Sequence, residues 1–295
     1  MKTLKGSLVA LVTPFLEDGR VNYTVLEELL DYHLSHQTDG IVLLGTTGEA
    51  TTLTIEEQEE MVRLAVKKLA GKIPLIVGAG SNDTSKAVAL AKRFSALGAD
   101  YLLTITPYYN KTNTSGLIQH FKAIANASSC PIILYNVPSR TGMSIPISVL
   151  KELKDHPNII GIKEASGNMS YASAVACLLS DDFLMFSGND DLIVPMMSIG
   201  SVGVISVLAN VAPKATHEMC AFCLEENYRK AAEKQLALLP VIESLFYETN
   251  PIPVKEAMNY LGFAVGGYRL PLFQMDSALK GKMIQRLQEN KEMLY

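Results

Sequence analysis

The sequence predicts a (β/α)8 barrel with a C-terminal helical appendage. Short β-branched or leucine-rich runs alternate with longer amphipathic stretches, the pattern of βα units around a parallel sheet, and eight such runs can be counted. No dinucleotide fingerprint follows the first run, which weighs against the competing doubly wound sheet with an added domain. Gly78-Ala79-Gly80-Ser81-Asn82-Asp83 comes nearest and lacks the third glycine. After the eighth run about a quarter of the 295 residues remains, too much for one closing helix.

In chain order the strands are predicted at residues 7–13, where an apolar run stops at Pro14, then 40–44, 73–77, 101–106, which stops at Pro107, 131–136, 159–163, 183–187 and 202–207. Helical periodicity lies between them at 23–35, 55–69, 85–97, 115–127, 146–153 and 170–179, and continues at 213–224, 228–247, 253–261 and 275–294. The expected division is a barrel over 1–224 that carries the active site and a helical region over 225–295 packed on it. Barrels of this kind reach such lengths as single domains.

Hydrophobic residues make up 48% of the chain and charged residues 19%, enough apolar side chain for a large core. The formal net charge of -4 argues against nucleic acid as the main ligand, because such binders carry a basic stripe. A small molecule is the expected ligand. The first residues lead straight into a strand-like run, and no apolar stretch approaches the ~18 residues of a membrane span, so a soluble cytoplasmic protein is expected. Cys220 and Cys223 form a C-x-x-C pair in a helical segment without a second ligand pair; two small buried residues is the plainer reading. The five histidines show no metal-ligand spacing beyond His33 and His36.

In such barrels the loops at the carboxyl ends of the strands build the site. Those ends carry Thr13-Pro14, Gly45-Thr46-Thr47-Gly48-Glu49, Pro107-Tyr108-Tyr109-Asn110, Tyr135 to Arg140, Lys163-Glu164-Ala165 and Ser187-Gly188-Asn189-Asp190. Lys163 places an amine at the end of an otherwise apolar strand, where burial disfavours the ammonium and frees a nucleophile for a carbonyl. Snorkelling to solvent or pairing with Glu164 is the plain alternative. Gly45 to Gly48 offers hydroxyls and closely spaced N–H groups to a carboxylate, or is simply a capped βα turn. Tyr135 is a proton carrier or a core tyrosine, and Arg140 a carboxylate clamp or a surface ion pair.

Taken together, Gly6 to Pro14, the Gly45 to Glu49 turn, Pro107 to Asn110, Leu134 to Gly142, Gly161 to Gly167, Gly203 to Val207 and Asn250-Pro251-Ile252-Pro253-Val254-Lys255 resemble the 4-hydroxy-tetrahydrodipicolinate synthase (dihydrodipicolinate synthase) family of the pyruvate-dependent Schiff-base aldolases. The resemblance runs through nearly the whole chain. It implies a lyase in which Lys163 forms an imine with pyruvate, with no other cofactor and no metal, and in which Tyr135 shuttles protons. Thr46 relays them, and Tyr109 completes the relay from a neighbouring subunit. Thr47 holds the pyruvate carboxylate, Gly188 and Ile205 line the pocket through their main chain, and Arg140 clamps the second substrate, L-aspartate 4-semialdehyde. A homotetramer of tight dimers and a place in diaminopimelate and lysine biosynthesis are also implied.

Sister aldolases such as N-acetylneuraminate lyase share the lysine, the tyrosine and the glycine turn, and rank second because Arg140 follows the Pro-Ser pair. A catalytically silent barrel is the third reading. In lysine-inhibited members of the family the regulatory cleft uses histidines and a glutamate where this chain has Ile55, Gln58 and Lys86, although Asn82 and Tyr108 remain. Weak or absent lysine feedback is therefore expected.

Overall fold

Eight parallel strands close on themselves in chain order, β1 pairing with β8. The computed structural model describes residues 4–294. The elements run β1 (Gly6–Ala10), α1 (Tyr23–Ser35), β2 (Gly40–Leu43), α2 (Ile55–Leu69), β3 (Leu75–Gly78), α3 (Thr84–Ala96), β4 (Tyr101–Ile105), α4 (Thr114–Ala127) and β5 (Ile132–Asn136). They continue with α5 (Pro138–Thr141), α6 (Ile147–Leu153), β6 (Ile159–Glu164), α7 (Met169–Ala176), β7 (Leu184–Ser187), α8 (Ile193–Met197) and β8 (Gly203–Ser206). Four helices follow, α9 (Pro213–Leu224), α10 (Tyr228–Ser244), α11 (Ile252–Tyr260) and α12 (Ser277–Glu289). The (β/α)8 barrel with a C-terminal helical part is therefore as the sequence predicts.

Alternation along the strands sorts the apolar residues into two layers. Leu8, Val42, Ile76, Leu103, Ile133, Phe186 and Ile205 fill the barrel. Val9, Ile41, Val77, Leu102, Leu134, Ile162 and Val204 face the helices. Each side chain of this size taken fully out of water contributes on the order of 1.5–3 kcal/mol. The helices begin where the sequence supplies caps: Asn22, Asp83, Asn113, Asn168, Asn227 and Asp276 each accept a first-turn N–H, and Thr54 with Glu57 makes a capping box.

Boundaries differ from expectation where side chains or proline take over the ladder. The first strand ends three residues early because the N–H of Val12 donates to Asn210 Oδ1. The third starts after Pro74, which has no N–H to give and only accepts, from Ile41. The short helices α5 and α8 are too brief to show a helical period in the sequence. Among the described residues no helix is long and apolar enough to cross a membrane.

Candidate active site

The ladder between β5 and β6 sets Tyr135 directly opposite Lys163. Both point into the barrel mouth: the ring of Tyr135 packs with the interior cluster, and Lys163 Nζ lies 4.5 Å from the ring centroid. Lys163 is 7% exposed, so it does not snorkel to solvent, and Tyr135, 8% exposed, is buried as both readings of it require. The main chain of Gly188 runs so close that an added Cβ would meet Lys163 Cε at 3.0 Å and Ala165 Cβ at 2.4 Å; only glycine leaves room for the amine. Ile205 is buried in the interior cluster.

The turn after β2 is built by its own hydrogen bonds. Gly48 N–H donates to Gly45 O and Glu49 N–H to Thr46 O, both at 3.1 Å, while Thr13 Oγ1 donates to Gly48 O at 2.6 Å. Glu49 sits in the left-handed region with φ 51°, which sends its carboxylate back under the turn. There it meets Lys255 of α11, which is fully buried and donates to Glu49 Oε1 and to Thr13 O, each at 2.9 Å. Thr47 is buried, and its hydroxyl accepts from Asn250 Nδ2 at 3.0 Å. The main-chain oxygen of Asn250 in turn accepts from Arg140 Nη2 at 2.9 Å. Thr47 and Arg140, separate in sequence, are thus joined through one residue of the helical region.

A cavity of about 820 Å³ opens over these elements, lined by Thr46, Tyr108, Tyr135 and Arg140 and, farther out, by Ile55, Gln58, Asn82 and Lys86. Tyr109 does not join the cluster within one chain. It is 91% exposed, with a left-handed backbone (φ 68°) that throws the ring outward.

Three further polar residues near the lysine stand in the strand-end motifs but were given no catalytic role. Asp190 is buried; its Oδ2 accepts from the N–H groups of Val207 and Leu208 at 3.0 and 2.9 Å, and Oδ1 has no partner. Burial pushes its carboxyl up, while hydrogen bonds from Ser206 and the β8 turn and the charge of Lys163 pull the other way. Asn136 and Glu164 lie on the outer side of the wall and bond to each other. A sequence shows strand ends and motifs, and it cannot show which polar residues the fold closes over.

Cys220 and Cys223 are buried and unpaired, and burial pushes their thiols up, that of Cys223 to about 11, against a reactive thiolate. Among the described residues no group of three His, Cys, Asp or Glu side chains is placed to hold a metal ion.

The model of the dihydrodipicolinate synthetase family matches residues 3–290. A protein from Caldicellulosiruptor saccharolyticus named 4-hydroxy-tetrahydrodipicolinate synthase is 53% identical over 275 residues, 93% of each chain. The chloride-inhibited dihydrodipicolinate synthase of Acinetobacter baumannii, solved with pyruvate, superposes with a TM-score of 0.96 at 40% identity, covering 98% of this chain and 99% of that one. The dihydrodipicolinate synthase of Cyanidioschyzon merolae, solved with lysine bound, gives 0.93 at 37% identity, covering 97% and 98%. Motifs, barrel and whole-length similarity agree: the chain belongs to the dihydrodipicolinate synthetase family and is an aldolase-like lyase.

Proposed function

We propose that the protein is a 4-hydroxy-tetrahydrodipicolinate synthase, condensing pyruvate with L-aspartate 4-semialdehyde. The observation that carries this reading is the buried amine of Lys163 facing the ring of Tyr135 on adjacent strands, beside the linked pair Thr47 and Arg140.

The amine of Lys163 adds to the keto carbon of pyruvate, and loss of water leaves the imine. Tyr135 is the proton carrier in that step, with Thr46 as relay and Tyr109 of a neighbouring subunit completing it. Thr47 holds the pyruvate carboxylate through its hydroxyl and N–H, and the main chain at Gly188 and Ile205 walls the pocket. Loss of a methyl proton gives the enamine, whose carbon attacks the aldehyde. Arg140 holds the carboxylate of that second substrate. Its amine then closes on the imine carbon and expels Lys163, so the covalent imine serves as the only cofactor. A homotetramer of tight dimers in the cytoplasm, acting in diaminopimelate and lysine biosynthesis, and a barrel over 1–224 with its helical region over 225–295, belong to the same reading.

Weak lysine feedback is part of the proposal. Gln58 Nε2 is already spent on Ala50 O and Leu53 O, at 2.9 and 3.2 Å, and Ile55 has no donor. Lys86 on the same cavity wall repels an ammonium group.

The test is mass spectrometry of the product from pyruvate plus L-aspartate 4-semialdehyde, with N-acetylmannosamine as competing aldehyde source and Lys163→Ala as control. A cyclised dicarboxylate that vanishes in the control is expected. Turnover of the sugar alone would replace this reading with the sister aldolase, and no product from either would leave a silent barrel.

A further inference from the structure

The pairing of β5 with β6 contains an irregularity that decides where Lys163 points. Ile132 pairs with Ile159, yet the next residue, Ile133, pairs with Gly161, so Ile160 is an extra residue in β6. Ile159 packs outward with the helix-facing layer and Ile160 inward against the barrel interior. Strict alternation from there would turn Ile162 inward and Lys163 outward. Instead Ile162 lies in the outer layer and Lys163 faces Tyr135 inside. A bulge of one residue therefore inverts the faces of the strand just before its catalytic end. Gly161 permits it: a Cβ there would lie 2.3 Å from Leu184 O on the neighbouring strand.

Bulges are rare between parallel strands, and a one-residue slip would undo this one and send the amine to the wrong face. The rung that follows Tyr135 and Lys163 pairs Asn136 with Glu164, both buried on the outer side of the wall. There Asn136 Nδ2 donates to Glu164 Oε2 at 2.6 Å, and Asn136 Oδ1 accepts from Ile145 N–H at 2.9 Å. The other oxygen of Glu164 accepts from the N–H of Ser166 at 2.7 Å and from its hydroxyl. The pair thus bolts the last rung to the loops on both sides. Burial pushes the Glu164 carboxyl up, while the donors from Ser166 and Asn136 hold it down.

We propose that Asn136 and Glu164 are positioning residues: by locking the last rung of the β5–β6 ladder from outside, they hold the bulged register that turns Lys163 into the barrel opposite Tyr135. This rests on the reading of Lys163 as the imine-forming lysine. In the slipped register the rung would place Asn136 against Lys163, and the bond to Glu164 would be lost. The lock touches neither substrate nor reacting atom, so it acts on the chemical step more than on binding.

The experiment compares the native chain, Asn136→Ala and the milder Glu164→Gln, which keeps the size of the side chain. Borohydride trapping of pyruvate on Lys163 gives the rate of imine formation, steady-state kinetics give kcat and the KM for pyruvate, and near-UV circular dichroism reports folding. Leu287→Ala, which loosens α12 far from the rung, controls for lost stability. In folded variants trapping and kcat are expected to fall at least about tenfold with the KM for pyruvate changed by less than about threefold, the scale of a misaimed group. The stability control should keep the native rate. Folded variants that trap at the native rate, or that lose no more than the control, overturn the inference. If the native chain itself traps no pyruvate, the imine reading falls and this inference falls with it; native trapping with unaffected variants removes this inference alone.

Discussion

Lys255 Nζ lies 2.9 Å from Glu49 Oε1, although 206 residues separate the two in sequence, and neither side chain reaches solvent. The ammonium also rests 4.3 Å from the ring centroid of Phe15. Burial pushes Lys255 down, and the attraction of Glu49 opposes it. A buried pair of this kind adds little net stability, but removing one partner strands the other charge. Lys255→Met and Glu49→Gln are each expected to cost about 3–5 kcal/mol in urea unfolding. The double variant should cost clearly less than the sum. Additive losses would mean that the two groups are not coupled.

How far the sequence reached is clear from this pair. The barrel was legible because eight apolar runs and their intervening helical periods are local properties, and the proposed site was legible because Lys163, Tyr135, Thr46, Thr47, Tyr109, Arg140, Gly188 and Ile205 stand in or beside motifs that carry the family resemblance. Glu49 and Asn250 stood in those motifs without a role, because their partners are chosen by the docking of α11 onto the β2 turn. The bulge in β6 was hidden for a similar reason. Ile159 to Lys163 reads as one smooth strand until its neighbour's register is known.

Acid should weaken the fold through His33. This histidine is fully buried, with Nδ1 2.9 Å from Thr38 Oγ1 and Nε2 without a partner. Burial chiefly, with a smaller push from His36, lowers it to about 3. The unfolded chain takes up a proton near the ordinary value of ~6.5. Between those values the unfolded state therefore holds more protons, and stability falls as pH drops through that window, by at most ~1.4 kcal/mol per pH unit. Urea midpoints from pH 7 to pH 4 should be flatter for His33→Gln than for the native chain. Equal slopes would show that another group controls the acid limb.

Lysine should leave the enzyme largely uninhibited. The cavity wall that carries Ile55 and Gln58 also carries the cationic Lys86, which repels the ammonium groups of lysine, and the amide of Gln58 already serves the turn before α2. At about 1 mM lysine turnover is expected to stay within about twofold of its uninhibited value, below ordinary allosteric coupling. Strong submillimolar inhibition would sink the proposal. Lys86→Glu restores the attraction and should move the chain toward sensitivity.

Asn250 allows the proposed contacts of the two substrates to be tested separately. Its side-chain amide orients the Thr47 hydroxyl, whereas Arg140 is held by its main-chain oxygen, which any residue at this position retains. Losing the amide costs one neutral hydrogen bond, about 0.5–1.5 kcal/mol, or up to about tenfold in affinity. Asn250→Ala should therefore raise the KM for pyruvate by up to about tenfold and leave that for the semialdehyde within about twofold. Arg140→Ala removes a charged donor instead, worth about 1.5–3 kcal/mol, and should raise the KM for the semialdehyde by about tenfold to a hundredfold with pyruvate little changed. Steady-state kinetics varying each substrate in turn read both effects. If Asn250→Ala moved the semialdehyde term as strongly as the pyruvate term, the joint would act through the backbone of the β2 turn as a whole, and the assignment of Thr47 to the pyruvate carboxylate would lose its support.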